Sequence, residues 1–392
     1  MVFNSIFFIF CFLPVFMLIY YLVPGKLRNL LLFLGSLIFY AWGEPVYVIL
    51  MLFSSIFNYY MGTELERLYY DDRKQKINLI FSIIINLAVL VFFKYYGFLL
   101  NTIGGIIGIH IPHPELSLPI GLSFYTFRNL SYLFDIYLSK VSAQRNFLTF
   151  AVYSTMFPYT SAGPIVRYTD IETQLKQRTI NISKFGIGAE LFVKGLAKKV
   201  LLADNLSVLY SSICGHPQMS VFTSWLGILA YTMQLYFDFS GYSDMAIGLG
   251  KMLGFDFNKN FDYPYISTSV SEFWRRWHIS LGSWFRDYIY IPLGGNRVST
   301  GRHIRNILVV WALTGLWHGA SWNFVFWGVY YGLLLLAEKF LLGRFLEKAP
   351  VWLRNLYTMF AVIIGWVFFS QTTPATIGKI CLLYTSPSPR DR

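Results

Sequence analysis

Charge is scarce in this 392-residue chain. Only 13% of its side chains are Asp, Glu, Lys or Arg, about half the share usual in a soluble globular domain, and a water-soluble globule is thereby excluded. Cysteine is scarcer still: Cys11, Cys214 and Cys381 are too few and too far apart for a disulfide framework. Also missing are a Gly-x-Ser-x-Gly elbow, a Walker-type phosphate loop, a His-Glu-x-x-His pair and any Cys/His cluster with metal spacing. Those chemistries drop out, and no metal site is expected. What is abundant instead is hydrophobic (55%) and aromatic (19%), a composition that also excludes disorder and collagen.

The apolar residues are gathered in runs. Phe3 to Val23, Ile77 to Phe93 and Ile307 to Leu316 approach or reach the roughly 20 residues that cross about 30 Å of hydrocarbon, so the chain reads as a polytopic membrane protein. Its formal charge of +12 does not point to nucleic acid, because the cations sit in short segments between the runs, where they set membrane orientation. The first run lacks a basic leader and a small-residue cleavage site and reads as a retained helix. Lys26 and Arg28 follow the first span, and Arg67, Arg73, Lys74 and Lys76 follow the third, so both loops are expected in the cytoplasm. Gly43 to Pro45 and Asn101 to Pro119 carry no Lys or Arg and are expected outside, with the N-terminus. Helices are predicted near 3 to 23, 28 to 42, 46 to 62, 77 to 100 and 119 to 138.

Phe147 to Val166 is apolar but holds Pro158, Gly163 and Pro164 and has cations at both ends. It reads as a re-entrant or broken helix lining an internal chamber, since irregular backbone at membrane depth needs protein or water to satisfy it. Arg167 to Lys184 is a polar loop, and Glu190, Lys194, Lys198 and Lys199 suit an interfacial helix with snorkelling lysines. Further spans are predicted near 201 to 214, 221 to 250, 306 to 318, 321 to 337 and 352 to 370, for roughly nine to eleven membrane segments without an internal repeat. Residues 381–392 change abruptly to Ser, Pro and Arg and are set aside as a non-native tail. One transmembrane domain is expected over 1–380, short of its natural C-terminus.

The most unusual block is Glu272 to Arg297, EFWRRWHISLGSWFRDYIYIPLGGNR. On one continuous helix, Glu272, Arg275, Arg276, Ser280, Ser283, Arg286 and Asp287 share an arc, opposite Phe273, Trp274, Trp277, Leu281, Trp284, Phe285 and Tyr288. Such a helix lies at the bilayer interface, or its border residue His278 faces a cavity while Arg275 and Arg276 attract phosphate. Between Ile304 and Ala337 the only Asp, Glu, Lys, Arg or His residues are Arg305 and His318. Thirteen residues of helix carry His318 about 20 Å from that arginine, and a group at such depth is a functional candidate by default. Gly315 and Gly319 around it permit a helix break and close approach. His110, His113, His216 and His303 are read as solvent-facing.

Asp238, Ser240, Ser243 and Asp244 are polar groups inside the predicted 221 to 250 span. The two carboxylates lie about 120° apart, which argues against a dyad; they hydrogen-bond neighbouring helices, orient a histidine or contact ligand. Two intramembrane imidazoles beside a cationic surface suit general-base removal of an alcohol proton, and favour acyl transfer slightly over proton pumping.

The blocks SFYTFRNLSYLFDIY (123–137), FPYTSAGPIVRY (157–168), YFDFSGYSDMA (236–246), the 272–297 block and LTGLWHGASWNFVFWG (313–328) resemble the membrane-bound O-acyltransferase family, MBOAT, and its bacterial alginate-acetylating branch, from about residue 3 to about 380. The resemblance implies an all-α bundle around a central funnel, His318 of the Trp-His-Gly motif as the essential catalytic residue and His278 as its partner. Candidate substrate contacts are Arg275, Arg276, Trp317, Asn323 and Asp238. The family implies no bound cofactor, acetyl-CoA as cytoplasmic donor, an exported polysaccharide as acceptor, membrane lipid around the protein, an extracytoplasmic SGNH-hydrolase-like acetyltransferase as partner, and the bacterial inner membrane as location. Arg128 stands where Gln usually follows Tyr-Thr-Phe in this family, and Tyr159-Thr160 where Gln-Leu usually follows Phe-Pro. D-alanyl transfer to teichoic acid, from a carrier-protein donor, shares the acyl-transfer logic. A transporter or flippase would share the buried His and Asp residues, but normally shows two related halves.

Overall fold

The computed structural model describes residues 1–114, 116–216 and 220–370, and every regular element among them is helical. Four of the helices are long and apolar enough to cross a membrane: Val48–Arg67, Asp72–Ile107, Trp322–Lys348 and Val351–Ser370. The other expected spans are shorter, as in Leu122–Tyr137, or carry more polar groups, as in Val221–Met252. The proposed tail, 381–392, lies outside the described residues.

Two of the long helices turn apolar residues outward and bury polar ones among their inward-facing residues. On Val48–Arg67 the residues Ile49, Phe53, Ile56 and Tyr60 are more than half exposed, while Met51, Ser55, Asn58 and Leu65 are buried. Asp72–Ile107 repeats the pattern, with Ile77, Phe81 and Ile84 outward and Leu79, Ser82 and Asn86 inward. Both stripes advance by three and four residues, as one face of a helix does. An aliphatic outer face costs nothing against lipid, whereas a buried amide needs a partner. Asn58 and Asn86 supply one to each other, Nδ2 to Oδ1, at 3.0 and 2.8 Å.

The chain divides into two compact units, Met1–Leu196 with Tyr242–Lys259, and Ala197–Gly241 with Asn260 onward. In the first, the expected break lies between Phe147–Thr155 and Phe157–Thr160, at Met156, whose ψ of 120° leaves the helical region. Breaking a helix frees carbonyls. Here Thr160 Oγ1 donates at 2.7 Å to the carbonyls of both Thr155 and Met156, and fully buried Arg128 donates to those of Ser154 (3.0 Å) and Tyr159 (2.7 Å). The Arg128 guanidinium also lies 4.4 Å from the centroid of the Tyr159 ring, a cation–π arrangement. Arg128 and Tyr159-Thr160, which the sequence resemblance sets apart, therefore meet at the same break. Arg128→Met should destabilise the fold by about 1–3 kcal/mol for each carbonyl left unpaired. It should cost less in a Tyr159→Leu background. Thermal unfolding in detergent reads both, and strict additivity of the two substitutions would contradict the coupling.

In the second unit, Thr300–His318 and Trp322–Ala337 pack backbone to backbone. A Cβ added to Gly315 would lie 2.3 Å from the Phe324 carbonyl oxygen, and one added to Gly328 2.4 Å from that of Trp311, the small-residue crossing usual between membrane helices. Around this hairpin Trp274, Trp277, Trp311, Trp327, Tyr331 and Trp366 form an aromatic core. Buried Glu338 accepts the backbone N–H groups of Val270 (2.6 Å) and Ser271 (3.0 Å) and so caps the Val270–Arg276 helix.

Candidate active site

The 272–297 block is not one helix. It forms Val270–Arg276 and Ile279–Phe285, separated by extended Trp277 and by His278 in the left-handed region at φ 45° and ψ 55°. A continuous wheel needs right-handed backbone at every position. That condition fails where two bonds from an upstream loop intervene: Asp262 N–H to Arg276 O and Ile279 N–H to Asn260 O, both 2.9 Å. The aromatic arc is nonetheless inward, since Phe273, Trp277, Leu281, Trp284, Phe285 and Tyr288 are all buried. It packs against protein.

A left-handed non-glycine residue is strained and persists only where its surroundings impose it. At His278 the payoff is position: the residue is 3% exposed, its ring stands edge-on to Phe239 at 4.7 Å, and among the described residues Nε2 has no hydrogen-bond partner. His318 is the last residue of Thr300–His318, which stops as Gly319 turns to extended backbone. Its ring sits among Trp327 (4.9 Å between centroids), Trp317 (5.0 Å) and Phe369 (5.2 Å).

Both histidines line one chamber of about 410 Å³, together with Trp274, Arg275, Trp311 and Thr314. Arg286 and Tyr290 also contribute to its wall, and among the described residues no Asp or Glu lines it. Its volume is that of a small-molecule site; Arg286 is paired with Asp287 at 2.7 Å, so Arg275 is the lining cation that an anionic ligand would meet. Apolar walls strengthen every electrostatic contact made inside.

The other candidates divide. Trp317 bridges the two imidazoles, 5.9 Å from His278 and 5.0 Å from His318. Arg275 is exposed and lines the chamber. Arg276 instead pairs with Glu272 at 2.8 Å and Asp262 at 3.6 Å. Glu272 is held below the usual carboxylate range, because the bonds from Thr268 and Arg276 outweigh the burial that opposes its ionisation. Asn323 is buried away from the chamber wall, accepting from Ser321 and donating to Phe368 O at 3.2 Å, a structural tie between helices. Asp238 accepts from Lys199 at 2.8 Å, an ammonium that Asp204 shares at the same distance. Burial disfavours the charged lysine, but the two carboxylates hold it above its ordinary value.

His303 is a correction: expected in solvent, it is 5% exposed, with Tyr290 Oη 2.9 Å from its Nε2 and Lys339 Nζ 3.4 Å away. The helix faces of Thr300–His318 put it inward, and tyrosine satisfies it there. His110 and His216 are exposed. Sequence reasoning missed Asn260 altogether; it lies 18 residues before His278, and nothing in its local pattern marks it.

A family model described as MBOAT, membrane-bound O-acyltransferase family, matches residues 45–375. The chain is similar to the probable alginate O-acetylase of Azotobacter vinelandii, 43% identical over 376 residues that span 94% of this chain and 75% of that protein. It is equally similar to the protein of the same name in Pseudomonas aeruginosa, 43% over 373 residues, 94% and 72% of the two chains. The peptidoglycan O-acetyltransferase of Helicobacter pylori is 34% identical over 407 aligned residues, 94% of this chain and 77% of its own.

Proposed function

Since the chain belongs to the membrane-bound O-acyltransferase family, we propose that it moves an acetyl group from cytoplasmic acetyl-CoA toward hydroxyls of an exported, alginate-like polysaccharide, with His318 and His278 as the groups that handle the proton. One observation carries the reading: two imidazoles share a chamber on which Arg275 also stands, with Arg286 paired to Asp287 at its edge. The relatives' names, alginate O-acetylase and peptidoglycan O-acetyltransferase, support acetyl as the group and a glycan as the acceptor. They do not favour D-alanyl transfer or a transporter.

In the proposed reaction the acceptor oxygen attacks the thioester carbonyl, a C–O bond forms and the C–S bond breaks. The hydroxyl proton passes to an imidazole nitrogen and on to the departing sulfur, which leaves as a thiol. Arg275 faces the donor's phosphates, a charge-assisted contact, and the apolar chamber keeps water from the thioester. The location that fits is the bacterial inner membrane, with an SGNH-hydrolase-like acetyltransferase taking the acyl group onward outside. Membrane vesicles given radiolabelled acetyl-CoA, with and without polysaccharide and that partner, test the proposal. Label should enter the polymer only where this chain is present; label that stays in acetyl-CoA in every combination would overturn it.

A further inference from the structure

Asn260 sits against the break that positions His278. Its backbone carbonyl accepts the Ile279 N–H at 2.9 Å, and its side-chain Oδ1 accepts the Ser280 N–H at 3.1 Å and the Ser280 hydroxyl at 2.9 Å. The first turn of Ile279–Phe285 has no cap from His278 itself, so Asn260 fills that place from a distant loop. A backbone N–H can only donate. The Asn260 atom that meets Ser280 N is therefore the carbonyl oxygen, and the amide orientation follows from the network.

The same oxygen lies 3.2 Å from His278 Nδ1. An amide oxygen accepts and never donates, so the proton between them must belong to Nδ1. The Ser280 hydroxyl is 3.4 Å from Nδ1 but 2.9 Å from Oδ1, and donates to the nearer acceptor. The opposite tautomer would set two lone pairs against each other at a site where His278 is 3% exposed.

We infer that Asn260 is a positioning residue: its side-chain carbonyl holds His278 protonated at Nδ1 and leaves the lone pair on Nε2, the nitrogen with no protein partner, ready to take the acceptor's proton in the chamber. A neutral imidazole has one donor and one acceptor, and only one of its two tautomers can serve as a base on the chamber side. The role in turnover rests on the acyl-transfer reading above, whereas the tautomer itself does not.

The experiment separates the two. Protein with 15N-labelled histidine, reconstituted in lipid, is read by solid-state NMR, and the His278 signals are identified among the six histidines by their loss in His278→Gln. The expected spectrum shows His278 protonated at Nδ1, and Asn260→Ala shifts it toward a tautomer mixture. In parallel, Asn260→Ala should lower kcat for label transfer roughly 10- to 100-fold, the scale of second-shell losses, with the donor KM little changed. Asn260→Asp, which keeps an acceptor for Nδ1 and for Ser280 N–H, should restore most of it. A parent spectrum with His278 protonated at Nε2 overturns the inference whatever the activity. A tautomer lost in Asn260→Ala with kcat unchanged also overturns the positioning role, yet leaves the acyl-transfer reading intact. Absence of label transfer by the parent would sink that reading instead, while the spectrum still decides the tautomer. Should Asn260→Ala fail to accumulate, the parent spectrum and Asn260→Asp carry the test alone.

Discussion

His318→Ala is expected to cut label transfer to polysaccharide by about 10²- to 10⁴-fold, the contribution of a positioned general acid or base, while the protein still inserts and melts near the parent temperature. The ring is only partly buried and contacts Trp327, Trp317 and Phe369 at its edges. Its removal opens space toward an existing cavity, so little packing is lost. His318→Gln keeps polarity and size but cannot cycle a proton at neutral pH, and should be equally inactive. Label transfer near the parent rate in either variant would remove His318 from the chemistry.

The second large effect is structural and lies three residues earlier. Gly315→Val should abolish accumulation of folded protein, or leave it inactive and thermally labile. The new Cβ would lie 2.3 Å from a backbone oxygen, that of Phe324, and a backbone atom cannot rotate away. Overpacking commonly costs about 1–3 kcal/mol, a large part of a folding free energy of about 5–15 kcal/mol, and here the hairpin that carries His318 must separate to relieve it. Gly301→Ala on the same helix, where an added Cβ meets nothing within 4 Å, is the control and should be neutral or slightly stabilising. A Gly315→Val protein with parental stability and activity would show that the hairpin opens without cost.

Much of this was legible before any coordinates. Pro158, with Gly163 and Pro164 after it, marks the interruption near 147–166, because proline removes a donor and clashes with the preceding turn. A helix running from the basic loop to His318 followed from one nearly uncharged run, and that helix does end at His318. The break at Trp277 and His278 was not legible. Neither residue breaks helices by itself, and the cause is a pair of backbone bonds to the loop at Asn260 and Asp262, contacts that no local pattern encodes. For the same reason the periodicity of the 272–297 block pointed to the correct buried face and the wrong continuity. The solvent-facing reading of His303 failed through its partner: a histidine near a basic loop reads as exposed until Tyr290 stands beside it. Asn323 ties its amide to Phe368, a contact that its place after the Trp-His-Gly motif does not encode. The link between Arg128 and Tyr159 spans 31 residues and is visible only once the broken helix has folded back.

The central claim is that one chamber, bounded by His278 and His318, receives the acyl donor. A cryo-EM structure with a non-hydrolysable acetyl-CoA thioether tests it most directly. The account predicts the thioether sulfur between the two imidazoles, with the phosphates toward Arg275. An analogue bound at saturating concentration anywhere else, with the chamber unchanged, would contradict it.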